Sequence, residues 1–80
     1  MLTSTENSHT NSAINLKKLG RNIALIRKNQ KMSRYKLALE IFSGVTNLAN
    51  IENGTANPTI TTLLKISTTL KCEVKDFFDF

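Results

Sequence analysis

The 80-residue chain has little of what most function classes require. Its one cysteine, Cys72, has no partner for an internal disulfide, which fits a reducing, cytoplasmic setting. One proline and three glycines are too few for a turn-rich all-β fold. Tryptophan is absent and aromatics make up only 6% of the chain, so the 40% apolar content comes mainly from leucine and isoleucine. No apolar run approaches the ~20 residues that span a bilayer. The opening residues, Met1-Leu2-Thr3-Ser4-Thr5-Glu6-Asn7, have neither the basic flank nor the apolar stretch of a secretory signal. The single histidine, His9, stands in a polar stretch, and a lone histidine there is usually inert. There is no metal-ligand spacing, no glycine-rich phosphate loop and no paired-carboxylate pattern. The expectation is one domain that is not an enzyme, with no metal and no cofactor.

Acidic residues are missing where the basic ones gather. Lys17, Lys18, Arg21, Arg27, Lys28, Lys31, Arg34 and Lys36 follow one another without an intervening Asp or Glu. Beyond Leu37 the balance reverses, with Glu40, Glu52, Glu73, Asp76 and Asp79 against Lys65, Lys71 and Lys75. The net charge is +5. A basic run is often only a solvated face, but one with no acidic counterparts points to a polyanionic partner, held through phosphate contacts.

Residues 1–13 are rich in Ser, Thr and Asn and lack apolar periodicity, so they read as a disordered tail, with the folded domain at 14–80. Leu16, Leu19, Ile23 and Ile26 then recur at helical spacing, predicting a first helix over about Asn15–Asn29, capped by Asn15 or Ser12. Ser33 caps a short second helix with Leu37, Ala38 and Ile41 inside. Ser43-Gly44 breaks the pattern. Val45, Leu48 and Ile51 define a third helix that ends at Asn53-Gly54, where glycine can take a left-handed cap. Asn57-Pro58 opens a fourth, with Asn57 as cap and Ile60, Leu63, Leu64, Ser67 and Leu70 as its buried stripe. Val74, Phe77 and Phe78 suit a last short helix. The fold class is all-α, five helices joined by short loops.

Two helices of about two turns around a tight turn are the geometry that sets a second helix steeply across a first. The stretch from Ser33 to Gly54 resembles the Cro and phage-repressor type of helix-turn-helix, also called the XRE family. The likeness extends from about Leu16 to Phe78. Ser33 with Leu37-Ala38 matches the family's opening of helix 2. Ile51-Glu52-Asn53-Gly54 matches the Ile-Glu-x-Gly end of its recognition helix. Pro58-Thr59-Ile60, Leu63-Leu64-Lys65-Ile66 and Leu70 follow in register. Each piece is weak alone, but together and in order they are specific. The turn departs from the family, which has Gly, a small apolar residue and Ser or Thr where this chain has Phe42, Ser43 and Gly44. A left-handed Phe42 would cost on the order of 1 kcal/mol or more. The expectation is therefore that helix 2 runs longer, Phe42 packs inward and Gly44 makes the turn. Lys71 likewise replaces the family's glycine after helix 4.

The resemblance implies a lambda-repressor-like DNA-binding domain acting as a transcriptional regulator, double-stranded DNA as partner, and a homodimer. Val45, Thr46, Asn47 and Asn50 face the bases, although Val45 also suits partial burial. None of these is Arg, Lys or Gln. Asn pairs best with adenine, and Thr and Val methyls meet the thymine methyl, so an operator with A·T pairs under Asn47 and Asn50 is expected. Lys28, Lys31, Arg34, Lys36, Gly44, Asn53, Thr55 and Asn57 are the phosphate candidates. For Lys17, Lys18 and Arg21 a solvated face is the simpler role. Arg27 and Glu52 occupy the positions of the family's structural ion pair. Phe77 caps the core, and Val74, Phe78 and Phe80 supply a dimer interface. Cys72 is expected to be a buried or half-buried thiol. The competing reading is an antitoxin-like module that binds a protein partner and DNA only for autoregulation.

Overall fold

The computed structural model describes the backbone of residues 4–80 and the side chains of residues 13–80. Four α-helices, α1 (Ser4–Asn29), α2 (Arg34–Glu40), α3 (Val45–Asn53) and α4 (Ile60–Leu70), precede a single 3-10 helix, Val74–Phe78. The predicted last helix thus takes the tighter winding. Among the described residues there is no strand, and no helix is long and apolar enough to cross a membrane.

Local chemistry sets most boundaries. The Ser33 hydroxyl accepts from the Lys36 amide at 3.0 Å and starts α2. Thr59, not Asn57, starts α4: its hydroxyl accepts from the Thr62 amide at 3.1 Å, and Pro58 lies in the preceding loop rather than in the first turn. At the last helix the Glu73 side chain and the Asp76 carboxylate satisfy each other's backbone amides. The start of α1 is the largest departure. The helix begins at Ser4, well before Asn15, and neither Asn15 nor Ser12 caps it. No glycine or proline occurs before Gly20 to stop a helix growing backward from its packed end. The expected disordered tail therefore meets helical backbone from Ser4 onward, and its first three residues lie outside the described residues.

All four α-helices close in the same way, with one residue in the left-handed region and a pair of backbone bonds reaching back into the last turn. After α1 the residue is Lys31 (φ 57), with Met32 N–H bonded to Arg27 O at 3.1 Å. After α2 it is Phe42 (φ 56), with Ser43 N–H on Ala38 O at 2.9 Å. After α3 it is Gly54 (φ 79), and after α4 Lys71 (φ 58). The expectation for the turn is thereby corrected. Phe42 is 91% exposed rather than packed inward, and Gly44 has extended backbone (φ −73, ψ 149) and precedes α3. The two carbonyl-capping bonds that close α2 outweigh the strain of a left-handed aromatic residue.

The core joins Leu19 and Ile23 of α1, Leu37, Ala38 and Ile41 at α2, Leu48 and Ile51 of α3, Leu63, Ile66 and Leu70 of α4, and Phe77. The stripe on α4 runs through Leu63, Ile66, Ser67 and Leu70. Ile60 and Leu64, expected inside, are exposed: Ile60 is the first residue of the helix, and Leu64 points to the outer side. Asn22 of α1 donates to the backbone oxygens of Phe77 and Asp79 at 3.0 and 3.3 Å, fastening the C-terminal segment.

Gly20 sits in mid-helix for a reason the spacing of apolar residues does not reveal. It is buried against the end of α3, where a Cβ would lie 2.6 Å from the Glu52 carbonyl oxygen. A Cβ on Gly54 would in turn lie 2.6 Å from the Lys17 Cα. Two glycines thus let α1 and the end of α3 meet backbone to backbone.

These two observations reverse the usual effects of substitution. Gly20→Ala, which ordinarily stabilises a helix interior, should here destabilise by about 2 kcal/mol or more through overpacking against backbone. Phe42→Gly should stabilise by about 0.5–1 kcal/mol by removing left-handed strain. Urea unfolding of the two variants checks both signs.

Candidate nucleic-acid interface

The site is built around the end of α3. Glu52 is the residue of that helix that turns inward with charge, its side chain only 1% exposed. Arg27 meets it with two parallel hydrogen bonds, Nε to Oε2 at 2.7 Å and Nη2 to Oε1 at 2.9 Å. The remaining terminal nitrogen of Arg27 donates to the Met32 carbonyl at 2.9 Å, tying in the loop that leads to α2. Planar guanidinium against planar carboxylate fixes orientation as well as distance. Arg34, the first residue of α2, adds its Nε to Glu52 Oε1 at 3.0 Å. The sequence assigned Arg34 to phosphate; the structure also brings it to Glu52. Charge patterning alone does not pair Arg34 with Glu52, eighteen residues on and in the next helix.

With Leu48, Ile51 and Glu52 turned inward, helical geometry turns the other side of α3 to solvent. Val45, Thr46, Asn47 and Asn50 are all exposed there, Val45 at 39%. The Asn47 side chain donates to Ser43 Oγ at 3.1 Å, which steadies it. Thr55 donates to the Asn50 backbone oxygen at 3.2 Å, leaving the Asn50 side chain exposed. The surface carries no charged side chain, and its two amides and one hydroxyl suit hydrogen bonding along a groove.

The remaining candidates surround it. Lys28, Lys31, Gly44, Asn53, Thr55 and Asn57 are exposed. Lys36 is exposed and pairs with Glu40 at 3.4 Å, a pairing that solvent and salt screen. Lys17 and Arg21 are exposed on α1, and Lys18 Nζ stands 5.6 Å from the centre of the Phe80 ring. The last residues form a different surface. Val74 and Cys72 are half-buried, while Phe78 and Phe80 are exposed, with ring centres 6.3 Å apart. Phe78 lines a shallow apolar groove with Leu16, Pro58 and Ile60. Burial pushes the Cys72 thiol above its ordinary pKa, and nearby Asp76 adds to the effect, so the thiol stays protonated. Among the described residues no cluster of His, Cys, Asp and Glu could hold a metal ion.

The family model described as Helix-turn-helix matches residues 23–77, from the last turns of α1 through Phe77. The chain belongs to the helix-turn-helix family of Cro and phage-repressor type. It is a DNA-binding transcription regulator of that family. The structure is similar to that of the restriction-modification controller protein C.AhdI from Aeromonas hydrophila, at 25% identity and a TM-score of 0.76. The match covers 79% of this chain and 96% of that one. No curated protein matches the chain in sequence. In this family α2 and α3 are the two helices of the motif, and α3 is the one placed to enter the major groove while α2 crosses the backbone.

Glu52→Ala removes the anion from between two guanidiniums, one of them buried. Breaking one side of a buried pair in this way costs about 3–5 kcal/mol, a large part of the total for a domain this small. Circular dichroism should show a lowered thermal midpoint, and unchanged stability would contradict the role given to the pair.

Proposed function

We propose that the chain is a homodimeric, sequence-specific regulator of Cro-like or controller-like kind, repressing or activating from a (pseudo)palindromic operator read through α3. The observation that carries this is the exposed, uncharged face of α3, held in place through Glu52 by Arg27 and Arg34 of the basic stretch. Asn47 and Asn50 supply paired donors and acceptors for adenine edges, and Thr46 and Val45 supply methyl groups for thymine. The operator is therefore A·T-rich beneath these residues. Lys28, Lys31, Arg34, Lys36, Gly44, Asn53, Thr55 and Asn57 hold the phosphates on either side.

One such module reads few base pairs, so two copies reading half-sites about one helical turn, ~34 Å, apart give useful specificity. A two-fold interface requires a patch that complements itself. Phe78 and Phe80 form it, with Ile60 and Leu16 beside Phe78 in the same groove and the half-buried Val74 in the same short helix as Phe78. The likeness to a restriction-modification controller supports the controller-like form of this reading. Its setting is the cytoplasm, and its work is binding rather than catalysis.

Fluorescence anisotropy tests this with two duplexes, the DNA upstream of the protein's own coding region and a scrambled version, each at two salt concentrations. The expected result is two protomers per site and an upstream affinity at least ~10³-fold tighter, falling steeply with salt. Asn50→Ala should weaken binding to the upstream duplex by about 1–3 kcal/mol and leave the scrambled one unaffected. Equal, weak binding to both duplexes would overturn the proposal and favour the competing protein-interaction role.

A further inference from the structure

One carboxylate in this fold serves two arginines of unequal exposure. Arg27 is 7% exposed and engages both oxygens of Glu52, whereas Arg34 is 38% exposed and engages only Oε1. The three groups together carry one net positive charge. The contact from Arg34 is made by Nε, the guanidinium nitrogen nearest the chain. Holding Nε fixes the plane of the group and leaves two terminal nitrogens, with four N–H donors, for another acceptor. Arg34 opens α2, the helix that crosses the DNA backbone in this family.

We infer that Glu52 is a positioning residue for DNA binding, and that it aims Arg34 at a backbone phosphate while Arg34 stays bound to it. This deepens the DNA-binding reading above and rests on it. In the complex Arg34 bridges two anions, the Glu52 carboxylate at Nε and a phosphodiester oxygen at the terminal nitrogens. The bridge distributes the surplus positive charge of the cluster onto DNA. It also ties the phosphate directly to the end of α3, so that gripping the backbone and setting the reading helix are one event. The role is specific to arginine. A guanidinium holds its two partners on different nitrogens, separated by its own width, in a fork matched to oxyanions. A lysine would have to crowd carboxylate and phosphate around a single nitrogen, or give up one of them.

Two variants at the half-exposed position 34 separate charge from geometry without opening the buried pair. Binding of Arg34→Lys and Arg34→Gln is compared with the native protein on the upstream duplex and the scrambled duplex across a salt series, alongside thermal midpoints. The expected result for Arg34→Lys is native salt dependence with roughly tenfold weaker binding on both duplexes, the effect of losing one charge-assisted hydrogen bond. Arg34→Gln should weaken binding further and reduce the slope of log affinity against log salt by about 0.9, one phosphate contact. Native affinity in Arg34→Lys would show that charge alone suffices and overturn the positioning role. An unchanged salt slope in Arg34→Gln with a lowered midpoint would make Arg34 a brace within the fold and nothing more. If Arg34→Lys behaves natively while the native protein still prefers its upstream duplex, the inference fails and the DNA-binding reading stands. If the native protein shows no preference between duplexes, both fail.

Discussion

The buried Glu52 carboxylate is the constraint on which the rest of this small structure turns. It shares α3 with the exposed Asn47 and Asn50, five and two residues before it, so whatever fixes Glu52 fixes the reading face. Arg27 reaches it from α1, Arg34 from α2, and Met32 is drawn in through the remaining Arg27 nitrogen. Three segments that otherwise meet through apolar side chains and close backbone packing are oriented by directional bonds. Apolar packing fills volume but tolerates rotation, whereas a planar pair of ions does not. A buried ion pair is weak evidence for net stability; here its contribution is orientation.

The second constraint is the scarcity of glycine. Four helix ends require a left-handed residue, and only one of the chain's three glycines, Gly54, meets that need. Gly20 is committed to the close approach of α1 and α3, and Gly44 has ordinary extended backbone. Lys31, Phe42 and Lys71 therefore take left-handed conformations at a steric cost. The two lysines keep their charged ends in solvent. Phe42 does not, and presents a nearly fully exposed ring beside the turn of the motif.

The helix order, the Ser33 cap, the Gly54 closure and most of the core are legible in sequence because each depends on residues within one helical turn. Leu37, Ala38, Leu48, Ile51 and Phe77 could be placed by spacing and by likeness to the family. What failed depended on non-local competition. Phe42 looked apolar and therefore internal, but closing α2 required a left-handed residue at that position whatever its side chain. Ile60 and Leu64 fit a helical stripe by spacing, yet the phase is set by Ile66 and Phe77 of the closed core. Gly20 gave no signal at all, since the reason for it lies in the backbone of residues 51 and 52. Arg34's contact with Glu52 was hidden likewise, because it spans two helices.

Fixed from behind by the ion cluster and by Gly20, α3 presents its outward face as a rigid surface, anchored to two arginines of the basic stretch. The C-terminal aromatic residues form a separate surface, held to α1 by Asn22. The most direct test of this division is to follow backbone amide chemical shifts while a duplex carrying the upstream sequence is added. The predicted result is perturbation concentrated at residues 33–36 and 44–50, with the outer face of α4 unaffected. Perturbation centred on Leu64 and Phe42, with α3 silent, would contradict it.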